Sequence, residues 1–286
     1  MPASSSPDVP VTSRGPVTAR LGGLDGLRGV AAAIVVIHHS LLLFPTMSSV
    51  YITGVAPAAG SMMWWMSYSP LKLLTAGGEA VIVFFVLSGL VLTLPVTRRP
   101  GFDWIAYFPR RFVRIWIPVV ASVLIAYLLV LIVRQQPYQP GTTWLNLSSV
   151  LDPSWSKLVS ATTLIGGDFQ LNNPLWSLEW EMIFSVCLPL FVLGALAFRK
   201  WWIAGVAAAV LLAWVGVLGS IPALHFLPVF LAGAFLAVGL PGIESGAARL
   251  NRTAWGRWTW PPLLVVAALA MVAPWLIGPT LRDVDW

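Results

Sequence analysis

The chain has 286 residues, of which 58% are hydrophobic and only 10% are charged. A soluble domain usually carries about 25% charged residues, so this composition excludes an ordinary soluble domain and indicates that lipid is the main solvent. The formal charge of +6 does not indicate a nucleic-acid partner, because the basic residues follow a membrane topology. The single cysteine, Cys187, excludes an intrachain disulfide.

Seven apolar stretches are long enough to cross a hydrocarbon core of about 30 Å. They lie at residues 27–45, 80–96, 112–133, 175–198, 201–221, 223–240 and 261–279. We therefore predict an all-α fold, a polytopic bundle of seven transmembrane helices. Residues 1–19 are rich in Ser, Pro and Thr and are predicted to form a disordered cytoplasmic tail, followed by one transmembrane domain over residues 20–286.

The positions of the basic residues predict how the bundle is oriented. With the N-terminus in the cytoplasm, thirteen Lys and Arg residues fall on the cytoplasmic side and four fall outside, namely Lys72, Arg134, Lys157 and Arg282. This asymmetry follows the positive-inside rule. It predicts seven crossings and an external C-terminus.

Two long segments between the spans are predicted to be external. Residues 46–79 contain the run Met-Met-Trp-Trp-Met, which suits the lipid headgroup boundary. Residues 134–174 are rich in turn-forming residues and are predicted to form a loop with a short helix near residues 157–164. Long loops are often functional, but a passive connector explains either segment equally well.

The first predicted span carries ionisable residues, which need a structural or functional reason inside a membrane. Arg28 and His39 are eleven residues apart, close to three helical turns, so they share one face about 16 Å apart. His38 is turned about 100° from that face, so the spacing favours His39 as the partner of Arg28. A packing role explains a single histidine as readily, and Asp25 fits a helix cap or a neutralising partner of Arg28.

Further charged residues stand at the ends of the third and fourth spans. Arg111 and Arg114 share a helical face, where guanidinium groups can bind phosphates in bidentate fashion, although lipid headgroups would also explain them. Glu179 and Glu181 are two residues apart and point to nearly opposite sides of a helix. Both carboxylates cannot face one cavity unless the helix starts after them.

Four of these segments, in this order, resemble the acyltransferase-3 family of membrane proteins. They are the Leu24–Arg28 segment with His39, the Phe-Phe-Val-Leu-Ser-Gly run at residues 84–89, the Arg-x-x-Arg element of Arg111 and Arg114, and the Trp-Ser-Leu-x-x-Glu element from Trp176 to Glu181. The resemblance covers roughly residues 20–240 and selects Glu181 over Glu179.

The sequence also departs from the family in two ways. The family often has Phe-Tyr three residues after the glutamate, whereas here Phe184 is followed by Ser185. Family members commonly have about ten spans, and the seven found here raise the hypothesis that the chain is truncated at its C-terminus.

The resemblance implies transfer of an acyl group, often acetyl, from cytoplasmic acyl-coenzyme A to a hydroxyl of a carbohydrate or other cell-envelope or secondary-metabolite acceptor. Acyl-coenzyme A is then a co-substrate, with no bound cofactor and no metal, and the bacterial cytoplasmic membrane is the expected location. The residues expected to act are the catalytic base His39, Glu181 to orient the imidazole or the acceptor, and Arg28, Arg111, Arg114, Ser88 and Trp176 to bind the substrates.

Several alternatives remain open at this stage. His39 could be transiently acylated instead of acting as a base, and Ser88 with Gly89 could serve only to let helices approach closely. A secondary transporter or exporter would also use intramembrane Arg, His and Glu residues, although the inverted repeats typical of such proteins are not found in the sequence. A non-catalytic membrane scaffold would use the same residues to join helices.

Overall fold

The computed structural model describes residues 17–52, 54–98, 100–133, 144, 153–253 and 255–277. Side chains are described from Gly22 onward, apart from that of Arg257. The ten α-helices of these residues are α1 (Val17–Leu41), α2 (Pro45–Ile52), α3 (Met62–Tyr68), α4 (Gly77–Arg98), α5 (Trp104–Ile132), α6 (Trp155–Thr163), α7 (Leu175–Ala197), α8 (Trp202–Leu218), α9 (Pro222–Asn251) and α10 (Gly256–Leu276). Short 3₁₀ turns occur at Pro70–Leu74 and Arg199–Trp201, and the described residues contain no strand.

The predicted all-α bundle of seven spans is confirmed. Within the described residues, seven helices are long and apolar enough to cross a membrane, namely α1, α4, α5, α7, α8, α9 and α10. Most of the predicted boundaries shift by up to five residues. The exceptions are α1, which begins ten residues before the predicted start at 27, α5, which begins eight residues before the predicted start at 112, and α9, which continues to Asn251, eleven residues beyond the predicted end at 240. The proposed tail and domain limits remain predictions, since residues 1–16 lie outside the described residues.

Two helices form the centre of the bundle. Half of the membrane-spanning part of α4 and of α9 is buried within the protein, compared with 6% for α1 and for α10. Helix α9 packs against α4, α7 and α8, while α1 packs on α4 and α5 packs on α6 and α7. The outer helices therefore leave most of their apolar side chains exposed at the surface of the bundle.

Stacked aromatic rings form the core between the central helices. Phe230 of α9 stacks on Phe85 of α4 and on Phe184 of α7, in each case with 4.4 Å between ring centroids. All three side chains are buried. Such aromatic contacts add to the energy of apolar burial, and they fix the spacing of the three helices that surround the candidate site.

Helices α4 and α9 cross at a pair of glycines. A Cβ atom on Gly89 of α4 would overlap the backbone carbonyl oxygen of Phe230, and one on Gly233 of α9 would overlap the carbonyl oxygen of Val86. Small residues allow this close approach of helix backbones in membranes. The glycine of the Phe-Phe-Val-Leu-Ser-Gly run therefore has the packing role that the sequence left open for the Ser-Gly pair.

We expect Gly89→Ala to lower the free energy of unfolding by about 1–3 kcal/mol, because the added methyl group forces two backbones apart. Titration with a denaturing detergent, followed by circular dichroism, measures this change. Gly194→Ala in α7 is the matched control, since a Cβ there meets nothing within 4 Å. An equal effect of the two substitutions would contradict the role of the crossing.

The long connections also contain helices. The short helix predicted near residues 157–164 is confirmed as α6, whose N-cap residue Ser154 accepts a hydrogen bond from the backbone N–H of Lys157. Between α1 and α4, the described residues form α2, α3 and the Pro70–Leu74 turn, which were not predicted individually. This turn contacts both α1 and α10 and so closes one end of the bundle.

Candidate active site

A polar cluster lies where α4, α5 and α7 meet. The guanidinium group of Arg111 in α5 forms an ion pair and a hydrogen bond with the carboxylate of Glu181 in α7. The hydroxyl of Ser88 in α4 donates a hydrogen bond of 3.4 Å to the same carboxylate oxygen. The structure therefore joins residues from three separate sequence motifs. We call these three residues the central cluster.

The central cluster is shielded from its surroundings. The side chains of Arg111 and Glu181 are 11% and 19% exposed, and Ser88 is buried. Ser88 is also the twelfth of the 22 residues of α4, which places the cluster near the middle of that span. An uncompensated charge at such a position is costly, so the ion pair and its hydrogen bonds are needed to hold both charges there.

Ser185 and Tyr107, which the sequence motifs did not select, connect α5 with α7 beside Arg111. The Arg111 Nε–H donates to the hydroxyl of Ser185 at 3.0 Å, and this hydroxyl donates to the backbone carbonyl of Glu181 at 2.6 Å. The Tyr107 hydroxyl donates to the backbone carbonyl of Ser185 at 3.3 Å. Ser185 occupies the position where the sequence departs from the family pattern, and that departure was the available signal.

Glu179 lies outside the central cluster. Its carboxylate accepts a hydrogen bond of 2.7 Å from the backbone N–H of Gly166, in the connection between α6 and α7. The two carboxylates thus point in different directions, as the spacing predicted. Glu179 stabilises the connection between α6 and α7, whereas Glu181 pairs with the half-buried Arg111.

A cleft of about 450 Å³ opens next to the central cluster, at the end of the bundle that the sequence predicts to be cytoplasmic. Its lining residues are Leu92, Pro100, Gly101, Phe102, Asp103, Tyr107, Arg110, Arg111 and Arg114. Arg110 and Arg114 are exposed, whereas Arg111 is half-buried. The guanidinium groups of Arg110 and Arg114 are therefore available to an anionic group in the cleft. Arg111 also lines the cleft and is paired with Glu181.

His39 lies at the other end of the bundle, two residues before the end of α1. Its Nδ1 atom is 2.9 Å from the backbone carbonyl oxygen of Val35. Because a carbonyl oxygen can only accept, Nδ1 carries the hydrogen and the lone pair of the neutral ring is on Nε2. The ring also makes edge contacts with His38 and Trp144, with centroid distances of 5.4 and 6.1 Å.

The histidines and the central cluster are separated along the bundle axis. The ring of His38 packs against Gly77, the first residue of α4, and Ser88 follows eleven residues later. At a rise of 1.5 Å per residue, this separation is about 16 Å. Within the described part of the chain, no hydrogen bond or ring contact joins His39 to Glu181, so the carboxylate does not orient that imidazole directly.

The remaining predicted site residues, Arg28 and Trp176, lie apart from the central cluster. Arg28 is half-buried on α1 and forms no hydrogen bond or ion pair with another described residue. The Trp176 ring packs on Phe85 and Phe226, with centroid distances of 6.4 and 5.2 Å. Among the described residues, no group of three His, Cys, Asp or Glu side chains is placed to hold a metal ion.

The comparisons with known proteins agree with this architecture. Residues 21–286 match the family model for the acyltransferase domain, which extends the resemblance from residue 240 to the last residue. The chain belongs to the acyltransferase-3 family.

A relative named acyltransferase MdmB, from Streptomyces mycarofaciens, is 33% identical over 147 residues. The alignment covers 49% of this chain and 36% of the relative, so the chain spans about a third of that protein's length. No solved structure shows a significant match to the chain.

Proposed function

We propose that the protein is a membrane acyltransferase that moves an acyl group, acetyl in the simplest case, from acyl-coenzyme A to a hydroxyl of a carbohydrate or of another cell-envelope or secondary-metabolite acceptor. Its location in this proposal is the cytoplasmic membrane of a bacterium. The observation that carries the proposal is the 2.9 Å contact between Nδ1 of His39 and the Val35 carbonyl oxygen, which assigns the hydrogen to Nδ1 and leaves Nε2 as the basic nitrogen, within a chain of an acyltransferase family.

The cleft lined by Arg110, Arg111 and Arg114, here called the arginine cleft, supports the proposal that the acyl donor carries phosphate groups. The exposed guanidinium groups of Arg110 and Arg114 line the cleft, and charge-assisted hydrogen bonds from arginine suit phosphate oxygens. In acyl-coenzyme A, the long and thin pantetheine arm separates the phosphates from the acyl group, which is bound to the sulfur at its end. This shape suits a bundle whose arginine cleft and histidines lie at opposite ends.

The chemistry that we assign to His39 is general base catalysis. Nε2 accepts the proton of the acceptor hydroxyl while its oxygen attacks the thioester carbonyl carbon. The carbon–sulfur bond then breaks, the coenzyme A thiolate leaves, and the imidazolium returns the proton to that sulfur. A hydrogen bond from Nδ1 to a carbonyl stabilises the imidazolium that forms between these steps.

Radiolabelled acetyl-coenzyme A, supplied to inverted membrane vesicles that contain the protein, tests the proposal. We expect label to appear in an acceptor as an ester that hydroxylamine cleaves, at a rate that depends on the amount of protein. Vesicles from cells without the protein are the control. Label that stays entirely in coenzyme A or free acetate would contradict acyl transfer and leave the transporter and scaffold alternatives.

We expect the double substitution Arg110→Ala and Arg114→Ala to raise the KM for acetyl-coenzyme A roughly tenfold or more, since each guanidinium supplies a charged hydrogen bond. The kcat should change little, because neither residue contacts His39. Initial rates over a range of donor concentrations measure both constants. Arg199→Ala is the matched control, as Arg199 is exposed and lies outside the cleft; an unchanged KM in the double variant removes the cleft from the mechanism.

A further inference from the structure

Lys72 is a fully buried cation at the histidine end of the bundle. Only 1% of its surface is exposed. Its ammonium group donates a hydrogen bond to the Tyr51 hydroxyl and lies 3.8 Å from the ring centroid of Trp275. A lysine rarely loses its water without strong compensation, and contacts with aromatic faces provide part of it.

The surroundings of Lys72 bring several helices together. Trp275 of α10 donates from its indole nitrogen to the Glu79 carboxylate in the first turn of α4, at 2.8 Å. Tyr51 of α2 contacts the Trp275 ring with a centroid distance of 5.4 Å. We call Tyr51, Lys72 and Trp275 the lysine box.

The lysine box contacts His38 through two routes. The Tyr51 ring meets the His38 ring edge to face, with 5.1 Å between centroids. The backbone carbonyl of Lys72 accepts hydrogen bonds from the N–H of Thr75 at 2.9 Å and from its hydroxyl at 3.3 Å. The carbonyl of Thr75 in turn accepts the Nδ1–H of His38 at 2.8 Å.

A third contact closes the space around His38. A Cβ atom on Gly77 would lie 2.5 Å from ring carbons of His38. The His38 ring is thus held by a carbonyl, an aromatic ring and a glycine backbone. Among the described residues, His39 forms one hydrogen bond, to its own helix, and its ring contacts are those with His38 and Trp144.

We propose that Lys72 is a positioning residue for the histidine pair of α1. By holding Tyr51 and the Pro70–Leu74 turn against the last turn of α1, it fixes His38 and thereby the direction of its neighbour His39. Because the two histidines are adjacent on one helical turn, fixing one ring sets the rotation of the other about the helix axis. The catalytic part of this proposal rests on the proposed function, with His39 as the base.

Reaction with diethyl pyrocarbonate, which modifies neutral imidazole nitrogens, tests the positioning without any acyl donor. The probe is applied to the whole folded protein in lipid nanodiscs, and fragment mass spectra resolve the two adjacent rings. We expect Lys72→Met and Tyr51→Phe each to raise the modification rate of His38 roughly tenfold, the change expected when one buried hydrogen bond is lost. His225, the third histidine of the chain, should keep its rate and serves as the internal reference.

Lys157→Met is the matched control, because it removes the same charge from a residue outside the lysine box. Tyr51→Phe, which removes only one oxygen, keeps the test valid if Lys72→Met fails to fold. An unchanged His38 rate in folded Tyr51→Phe overturns the proposal, whether or not Lys72→Met folds.

Acyl transfer kinetics provide the second readout. We expect Tyr51→Phe to lower kcat severalfold and to leave the KM for acetyl-coenzyme A unchanged, because the arginine cleft lies at the other end of the bundle. If the modification rate of His38 rises in Tyr51→Phe but kcat stays unchanged, the positioning role is overturned. If the proposed function is wrong, the parent protein shows no acyl transfer, but the modification rates of His38 still change as predicted. Failure of the proposed function is therefore distinguishable from failure of the positioning role.

Discussion

Replacement of His39 by alanine is expected to abolish acyl transfer while the protein remains folded in the membrane. In our proposal the Nε2 lone pair of His39 accepts the acceptor's proton, and loss of a positioned general base typically lowers a rate by about 10²–10⁴-fold. The same expectation applies to His39→Gln, which keeps the polarity and approximate size of the side chain but offers no basic nitrogen. Ester formation from radiolabelled acetyl-coenzyme A measures the effect.

His225→Ala is the control for the His39 substitutions. Its ring stacks on Phe226 in the first part of α9, with 4.2 Å between centroids, and our mechanism gives it no step. The variant should therefore keep the parent rate within about twofold, as expected for a residue outside the site. Transfer at the parent rate in His39→Ala would falsify the assignment of the base.

The same experiment separates the two forms of catalysis that the sequence left open. If His39 is transiently acylated, label accumulates on the protein when the donor is present and the acceptor is absent. If His39 acts as a base, label passes to the acceptor without such a stage. Hydroxylamine-sensitive label at the peptide that contains His39 is therefore the deciding observation.

Breaking the ion pair of the central cluster should have the largest effect on stability. Arg111 and Glu181 are mostly shielded, and removal of one partner from a buried pair costs about 3–5 kcal/mol, because the other charge is left uncompensated. We expect values near the lower end for Glu181→Ala, since the pair retains some exposure. Denaturing detergent titration gives the free energy of unfolding.

A double substitution distinguishes the role of the pair in stability from its role in catalysis. Arg111→Met together with Glu181→Leu removes both charges and fills the space with apolar atoms, which often restores stability. We expect this variant to unfold at a higher concentration of denaturing detergent than either single variant, and to remain inactive. Activity at the parent level in the restored protein would show that the pair only joins helices.

The chain offers a second ion pair as the control for these measurements. Arg98 and Glu244 lie 3.8 Å apart with side-chain exposures of 42% and 30%. A pair with this exposure contributes about 0–1 kcal/mol. Arg98→Ala should therefore change the free energy of unfolding far less than Glu181→Ala.

The spans were predictable because apolar length is a direct signal of membrane crossing. The end of α9 was not, since Pro241 and Gly242 normally favour a helix end. In the structure the helix passes through them to Asn251, and Glu244 beyond them faces Arg98. Proline is tolerated within membrane helices because neighbouring groups satisfy the freed backbone carbonyl.

The sequence motifs predicted single residues of the site but not the contacts between them. Motifs selected Ser88, Arg111 and Glu181, but their mutual contacts depend on the tertiary packing of three helices. Ser185 was visible only as a departure from the family pattern.

Lys72 was counted in the sequence as one more basic residue on the external side. Its burial arises because α2, α10 and the Pro70–Leu74 turn converge there. No periodicity of the sequence encodes that convergence. A lone lysine within an apolar run was the one available signal.

The glycine crossing of α4 and α9 restricts where the protein can change shape. Two helices whose carbonyls and glycines interlock cannot slide or turn past each other without steric overlap. The centre of the bundle is thus a fixed axis, and any widening that admits a long substrate must come from displacement of the helices around it. Helix α5, which carries the arginines of the cleft, packs on α6 and α7 and lies outside this fixed crossing.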